Sequence, residues 1–231
     1  MSHVMYGGKM GLRILLLLIL CSFIEAKEKK SELEKIFTRI YERATWGKNE
    51  KGVGFSGGGS LLKNAEPYID FLEDFIKING IRTVVDAGCG DWEFSKYVDW
   101  SEVQYIGYDI VASVIENNRK SYIAPNIQFV HANFLEVELP SADLLVCKHV
   151  LQHLSVKDIR KMVKQLPKFK YCLITNQVEK ETLSSDNLDI YSGGSRKLDL
   201  SKPPYSLQGE NVFHYDDTCG THQVFLIRGG I

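Results

Sequence analysis

The segment Thr83–Trp92 constrains the fold of this 231-residue chain more than any other. A short apolar run ends at Asp86, continues into a turn with Gly88 and Gly90, and leads into an aromatic-bearing amphipathic stretch. This order is typical of a buried parallel strand followed by a glycine turn and a helix, at the edge where open α/β sheets bind nucleotide-like ligands. Two glycines give the turn access to positive φ and let a ligand approach bare backbone.

The residue three positions after Gly90 narrows the choice of ligand. A dinucleotide-binding Gly-x-Gly-x-x-Gly motif needs a glycine there, but this chain has Glu93, whose carboxylate crowds the helix packing and repels a pyrophosphate. A P-loop is absent because no Gly-Lys-Ser/Thr follows the turn. A ligand with an adenosine, a positive charge and no phosphate suits Asp86 and Asp91 better. A dinucleotide-dependent oxidoreductase is therefore the weakest alternative.

Strand-like and helix-like patterns alternate from residue 82 onward, which predicts parallel βαβ units. A hairpin of two antiparallel strands, near 211–215 and 223–227, is predicted around the turn at Cys219–Gly220. Before the sheet, a capping box at Ser31 and Glu34 predicts a helix. The predicted strands lie near 82–87, 103–108, 127–131, 142–147 and 170–175, and the predicted helices near 31–45, 64–79, 92–99, 111–121, 155–166 and 179–184.

The first 26 residues differ in composition from the rest of the chain. Lys9 and Arg13 precede the apolar run 14–24, and Ala26 supplies a small residue before a charged stretch. This layout predicts a secretory signal peptide cleaved after Ala26, because the run is shorter than the roughly 20 apolar residues of a membrane-spanning helix. An uncleaved signal anchor is the alternative. The expected location is the secretory pathway, either secreted or in the endoplasmic reticulum lumen, or membrane-anchored if the signal is not cleaved.

Residues 27–231 have the size and composition of one globular domain. They contain 26 basic and 28 acidic residues, so no overall positive charge favours nucleic acid. Their four cysteines lack metal-site spacing such as Cys-x-x-Cys. Cys147 and Cys172 fall in predicted central strands, where separate buried thiols are favoured over a disulfide.

Together, these motifs resemble those of class I S-adenosylmethionine-dependent methyltransferases, whose first motif is a hydrophobic strand followed by Asp-x-Gly-x-Gly. The resemblance implies an α/β, Rossmann-like, mostly parallel seven-stranded sheet with helices on both faces and an antiparallel C-terminal hairpin. It also implies a single domain over 27–231, with a helical and loop cap at 31–80 and a Rossmann-like core at 81–231. Three further segments carry the resemblance: 105–110, 127–134 and 142–154.

The resemblance implies that S-adenosylmethionine is the cofactor. Asp109 follows Gly88 by 21 residues, and an acid at about that distance accepts hydrogen bonds from ribose hydroxyls in many nucleotide folds. Asn133 stands where many relatives have aspartate, and its carbonyl can accept from the adenine amino group. The cofactor is expected in one cavity that both Asp86 and Asp109 face. The predicted cofactor contacts are Asp86, Gly88, Gly90, Asp91, Asp109, Ile110, Asn133, Phe134 and Lys148.

Substrate chemistry is predicted in the segment 147–154, which leaves the fourth strand at the edge where ligands bind. His149 is the candidate general base because histidine titrates near neutral pH. His153 is a second catalytic candidate or packs under the cofactor. No metal is predicted, because a His-Glu-x-x-His site needs glutamate at Val150. Arg196 is either a clamp for an anionic substrate or a surface arginine.

The predicted activity is S-adenosylmethionine-dependent methyl transfer to a small-molecule acceptor, with no nucleic-acid partner and membrane contact only through an uncleaved anchor. Relatives usually carry Arg-Asp in place of Lys148–His149, and tryptophan in place of Ser195. These departures motivate the alternative of a catalytically inactive binding module with the same fold. The segment Ser56–Ser60 is either a flexible linker or a lid whose N–H groups meet the cofactor's carboxylate.

Overall fold

The computed structural model describes residues 30–230, so the apolar run 14–24 and its expected cleavage site lie outside the described residues. Four α-helices and seven strands make up the domain. The helices are α1 (Glu32–Glu42), α2 (Leu62–Asn79), α3 (Ala112–Ser121) and α4 (Val156–Val163). The strands are β1 (Thr83–Ala87), β2 (Gln104–Asp109), β3 (Ile127–His131), β4 (Ala142–Lys148), β5 (Phe169–Val178), β6 (Glu210–Asp217) and β7 (Gly220–Arg228).

All seven strands form one sheet in the order β3–β2–β1–β4–β5–β7–β6. Strands β1 to β5 pair in parallel, whereas β7 pairs antiparallel with both β5 and β6. The predicted fold class is therefore confirmed, including the antiparallel hairpin. Strand order reverses between β1 and β4, and such a switch point opens a crevice at the carboxyl ends of the strands.

The central strands are rich in buried apolar residues because both faces of the sheet are covered. In β4, Leu145 and Cys147 join a cluster that includes residues of α4, whereas Leu144 and Val146 join a cluster that includes residues of α2. All four are fully buried or nearly so. Alternate side chains therefore point to opposite faces, as the pleat of a strand requires.

Local signals set the start of α1 and the end of α2 as predicted, whereas α1 ends earlier and α2 begins earlier than expected. Ser31 caps α1, with its hydroxyl accepting a hydrogen bond of 3.1 Å from the Glu34 N–H. Helix α2 ends at Gly80, whose φ of +61° lets its N–H turn back to the carbonyls of the last turn.

Two predicted helices are absent from the described chain. At 92–99, Trp92 adopts a φ of +59°, which interrupts a helix, and its ring packs against Tyr105 and Phe129 in the core. Only a single 3₁₀ turn, Ser95–Tyr97, follows. At 179–184 the chain forms a turn closed by a bridge between Glu179 and Ser184. At 92–99, core packing of Trp92 overrides helical propensity.

The four cysteines of residues 30–230 are free, so Cys147 and Cys172 are separate buried thiols as predicted. In this part of the chain, no helix combines the length and apolar character needed to cross a membrane. The same residues contain no group of three or more His, Cys, Asp or Glu side chains arranged to hold a metal ion.

Candidate functional site

The carboxyl ends of β1, β2 and β4, together with the segment after β3, open into one cavity, which α1 covers as a roof. The space between these elements, with the open solvent at its mouth included, is about 820 Å³. The roof is apolar and aromatic, with Leu33, Phe37, Tyr41 and Trp46 facing inward. The sequence predicted this helix as part of the cap, but no motif in it indicated a role in the site.

The glycine turn after β1 forms the floor of the cavity. Gly88 has a φ of +86° and Gly90 a φ of +55°, conformations that favour glycine. A Cβ on Gly88 would lie 2.5 Å from a methyl group of Val150, so this turn packs directly on the turn after β4. Any larger residue at 88 would force the two turns apart.

Asp109 ends β2 and faces the cavity with its carboxylate held in place. Its oxygens accept hydrogen bonds from the Gly90 N–H at 3.1 Å and the Val111 N–H at 2.8 Å. Burial raises the pKa of Asp109 to about 6, while the two N–H donors oppose this shift. The carboxylate is therefore mostly ionised at neutral pH, and each oxygen keeps a lone pair for a ligand hydroxyl.

The prediction that Asp86 shares this cavity is wrong. Asp86 does not line the cavity within residues 30–230; it is buried on the face that α2 covers. The Tyr105 hydroxyl donates to it at 2.7 Å, and burial raises the pKa of Asp86 to about 7. The physical reason is strand alternation, since Asp86 points to the same face as Val84.

Asn133, in the segment after β3, lines the cavity, but its carbonyl oxygen, the expected acceptor, already has a partner. Its Oδ1 accepts from the Leu135 N–H at 3.1 Å, which fixes the orientation of the amide. Its Nδ2 is buried and has no partner. A buried donor without a partner costs free energy, so the site is built for a ligand that supplies an acceptor, such as a ring nitrogen.

The segment Ser56–Ser60 is packed into the cavity wall, not extended as a linker. The Ser56 hydroxyl donates to Asp91 Oδ1 at 2.6 Å, and the Ser56 N–H donates to Oδ2 at 3.2 Å. Burial raises the pKa of Asp91, although these hydrogen bonds oppose the shift. Gly59 lies against His149, because a Cβ there would be 2.9 Å from the imidazole Nδ1.

Lys148 and His149 form the turn after β4. Lys148 Nζ donates to the Gly59 carbonyl at 2.8 Å and lies 3.4 Å from His149 Nδ1. His149 has a φ of +57°, unusual for a residue with a side chain and frequent at functional sites. Burial lowers the pKa of His149 well below its usual range, and Lys148 adds to the shift. The reason given for His149 as a base, titration near neutral pH, is therefore removed.

His153 lines the same cavity, with its ring 4.9 Å from the ring of Trp46. Its Nδ1 lies 2.8 Å from the Gly194 carbonyl, which makes Nδ1 the protonated nitrogen of the neutral ring. Burial lowers the pKa of His153, so the imidazole is neutral at physiological pH. Nε2 is then the nitrogen with a free lone pair.

Arg196 does not act as a substrate clamp in this arrangement. Its guanidinium donates to the carbonyls of Leu154 at 2.7 Å and Leu188 at 3.0 Å, and to the Tyr205 hydroxyl at 3.1 Å. The side chain is only 6% exposed and does not line the cavity. Arg196 therefore fastens the segment before β6 to the turn after β4.

Two functional-site neighbours escaped the sequence analysis. His222 on β7 stacks on His149 with ring centres 4.5 Å apart. Its Nε2 lies 2.8 Å from Asp217 Oδ1, at an angle unsuited to a hydrogen bond. No local motif marks either residue, because only the β6–β7 hairpin brings them to His149.

Buried polar atoms without a partner concentrate here: Tyr68 Oη, His149 Nε2, Thr175 Oγ1, Tyr215 Oη and Asp217 Oδ2.

The structure thus brings most of the predicted site residues to one cavity and leaves two outside it. Asp86 and Arg196 are the two that lie elsewhere. Those that line the cavity are Gly88, Gly90, Asp91, Asp109, Ile110, Asn133, Phe134, Lys148, His149 and His153.

Comparison with known proteins agrees with this architecture. Residues 84–169 match the sequence model of the methyltransferase-domain family. The match covers 86 of the 231 residues, from β1 to the first residue of β5. A search of curated protein sequences finds no significant match. The domain described by residues 30–230 is nevertheless similar in structure to several solved methyltransferases.

Magnesium protoporphyrin IX methyltransferase from Synechocystis PCC 6803, solved with bound S-adenosylhomocysteine, superposes on the domain with a TM-score of 0.59. Its identity is 12%, over 85% of this chain and 99% of that one. The N-methyltransferase NodS from Bradyrhizobium japonicum WM9 superposes with a TM-score of 0.56. Its sequence identity is 10%, over 75% of this chain and 100% of that one. Human N-acetylserotonin methyltransferase, in complex with S-adenosylmethionine, superposes with a TM-score of 0.53. Its sequence identity is 15%, over 87% of this chain and 61% of that one. At these identities the likeness establishes the fold.

Proposed function

We propose that this protein binds S-adenosylmethionine and transfers its methyl group to a small-molecule acceptor. The observation that carries the proposal is the buried pair of ligand-ready groups in one cavity, the Asp109 carboxylate and the unpartnered Asn133 Nδ2. An adenosine offers both complements, ribose hydroxyls for the carboxylate and ring nitrogens for the amide donor. Structural neighbours bound to the cofactor or its product support the same reading.

Each part of the cavity has a distinct task in this proposal. Asp109 holds the ribose, and Ile110 and Phe134 supply apolar contact to the adenine. Gly88 and Gly90 leave room for the amino-acid end beside bare backbone. When bound, S-adenosylmethionine supplies a methyl group on a positively charged sulfur.

Catalysis then depends mainly on holding the acceptor in line with that methyl group. Positioning of this kind can supply about 7–11 kcal/mol of the barrier reduction. The α1 roof excludes water and limits the size of the acceptor that can enter. The names of the structural neighbours, which refer to porphyrin and N-acetylserotonin acceptors, favour a small molecule.

Calorimetry with S-adenosylhomocysteine tests the cofactor assignment. Wild type is expected to bind, and Asp109→Ala is expected to bind about 10- to 100-fold more weakly, since hydrogen bonds to a charged group contribute about 1.5–3 kcal/mol. Asp70→Asn is the matched control, because it changes an exposed acid of α2 that lies outside the cavity, and its affinity should stay within about twofold of wild type. Absence of binding by folded wild-type protein refutes the proposal.

A binding module without turnover is the second candidate. Two observations favour it: the pKa of His149 is lowered, and Lys148 Nζ already donates a hydrogen bond to the Gly59 carbonyl. A screen of small hydroxyl- and amine-bearing acceptors with radiolabelled cofactor separates the two functions. Methyl transfer to any acceptor supports the enzyme. Tight binding of the cofactor with no transfer across the screen supports the module.

We further propose that residues 1–26 direct the protein to the secretory pathway. The basic residues before the apolar run 14–24 and the small Ala26 support this address. A C-terminally tagged chain should appear in the endoplasmic reticulum or the medium, and deletion of residues 1–26 should retain it in the cytosol. N-terminal sequencing distinguishes cleavage after Ala26 from a retained anchor.

A further inference from the structure

Lys148 is buried in an environment that is poorly suited to a charged amine. Its side chain extends from the end of β4 onto the α2 face and is 8% exposed. Its Nζ lies 4.8 Å from the ring centre of Phe94 and 5.4 Å from that of Tyr68. Within residues 30–230, no carboxylate comes within 4.0 Å of it. Lysine is almost never buried without such a partner, because the ammonium loses its hydration.

The surroundings of Lys148 set the balance between its two protonation states. Burial lowers the pKa of Lys148 to about 7, although the more distant Asp86, Asp217 and Cys219 oppose the shift. His149 also faces it, from its own turn. A large share of the molecules therefore carry an uncharged amine, with a free lone pair, at neutral pH.

The position of this amine is fixed at the cavity. The Gly59 carbonyl accepts one of its hydrogens at 2.8 Å. The turn that follows Lys148 packs on the glycine turn, with Val150 against Gly88. Lys148 thus lines the same cavity as Gly88 and Gly90, beside which the amino-acid end of the cofactor is proposed to lie.

We propose that Lys148, in its uncharged form, is the catalytic base that removes the proton of the methyl acceptor. The inference rests on the proposed methyl transfer and assigns the acceptor to the class of hydroxyl or amine nucleophiles that must lose a proton. The O–H or N–H bond breaks and its proton moves to Lys148 Nζ. The electron pair of the acceptor forms the bond to the methyl carbon, and the S–C pair returns to sulfur.

Features that make burial of the ammonium tolerable also stabilise it once it forms. The Gly59 carbonyl accepts a hydrogen bond, the faces of Phe94 and Tyr68 attract a cation, and Asp86 and Asp217 add negative potential. His149 is then a positioning residue, whose Nδ1 lies 3.4 Å from Lys148 Nζ.

The first experiment needs no acceptor. The full chain is labelled with ¹³C-lysine, and the Cε resonances are followed by NMR from pH 5 to 11. One lysine is expected to titrate near pH 7, and its signal should be missing from Lys148→Met. Titration of every lysine near the ordinary value of about 10.4 overturns the inference and leaves the cofactor assignment untouched. Conversely, a wild type that fails to bind S-adenosylhomocysteine refutes the proposed function itself.

The second experiment uses the acceptor found in the screen. Lys148→Met should lower kcat by about 100-fold or more, keep the affinity for S-adenosylhomocysteine within about twofold, and abolish the rise of kcat around pH 7. Lys148→Arg tests the base itself, because it keeps a cation that cannot take up a proton, and its kcat should fall equally. His149→Gln should retain the rise with pH. A Lys148→Met variant that keeps wild-type kcat, or loses cofactor affinity instead, overturns the assignment.

Discussion

The Ser56 hydroxyl donates a hydrogen bond of 2.6 Å to Asp91 Oδ1, joining the glycine-rich segment to the turn after β1 across 35 positions of sequence. The same hydroxyl oxygen accepts from the Asp91 N–H at 3.1 Å and lies 2.8 Å from the Tyr41 hydroxyl. One serine therefore ties the roof helix, the glycine-rich segment and the floor of the cavity together.

Replacing this serine should loosen all three parts. Ser56→Ala leaves the Asp91 carboxylate and the Tyr41 hydroxyl short of a buried partner, so we expect the free energy of unfolding to fall by about 1–3 kcal/mol. Urea unfolding measures the loss. Tyr41→Phe removes only one hydroxyl from the network and should cost less than Ser56→Ala. Equal unfolding midpoints for Ser56→Ala and wild type would contradict the role of this contact.

The stability of the protein should depend on pH through Asp86. Burial raises the pKa of Asp86 to about 7, whereas an aspartate in an unfolded chain titrates near about 3.9. The folded state therefore keeps a proton that the unfolded state has lost. The resulting stabilisation is fully present below pH about 4 and is lost as the pH rises through about 7.

Asp86→Asn removes this dependence, because an amide is neutral at every pH. Urea unfolding at pH 4.5 and 7.5 should show a smaller loss of stability with rising pH in Asp86→Asn than in wild type. Asp70→Asn is the matched control, since Asp70 is exposed on α2. Its free energy of unfolding should change with pH as that of wild type does. The same change of unfolding free energy with pH in all three proteins would rule out a protonated Asp86 in the folded state.

Arg196 is expected to matter for stability and not for the cofactor. Arg196→Met leaves the carbonyls of Leu154 and Leu188 without their donor, and hydrogen bonds to a charged group contribute about 1.5–3 kcal/mol. The free energy of unfolding, measured in urea, should fall by a similar amount. Calorimetry with S-adenosylhomocysteine should give an affinity within about twofold of wild type. Arg160→Met, at an exposed position of α4, serves as the control for a lost surface charge. An Arg196→Met variant that is as stable as wild type but binds S-adenosylhomocysteine more weakly would instead support a ligand-binding role for Arg196.

The strands could be predicted because buried parallel strands are dominated by consecutive apolar residues, such as Leu144 to Cys147 in β4. The same uniformity conceals which face each residue takes. Asp86 and Asp109 follow similar runs, but only coordinates reveal that one enters the core and the other ends its strand at the cavity. Trp92 shows a second limit, because its amphipathic surroundings indicate a helix while its ring anchors the backbone at positive φ.

The candidate site was predictable where a short motif defines it and unpredictable where long-range pairing does. Gly88, Gly90 and Asp109 belong to local patterns with a physical meaning. His222 and Asp217 reach His149 only because β7 pairs antiparallel with β5 and β6. Lys148 could be placed at the cavity from sequence, but its pKa is lowered by burial, and the rings of Phe94 and Tyr68 that lie against it are far from it in the chain.

The position of β7 has a consequence for synthesis on the ribosome. This strand lies between β5 and β6 in the sheet but follows both in the chain. Until residues 220–228 emerge from the exit tunnel, the nascent sheet exposes the unpaired edge of β5, and β6 has no strand to join. Unpaired edges invite wrong partners. Translational stalling just before β7 should therefore leave a chaperone-dependent, aggregation-prone intermediate, whereas stalling well beyond it should not.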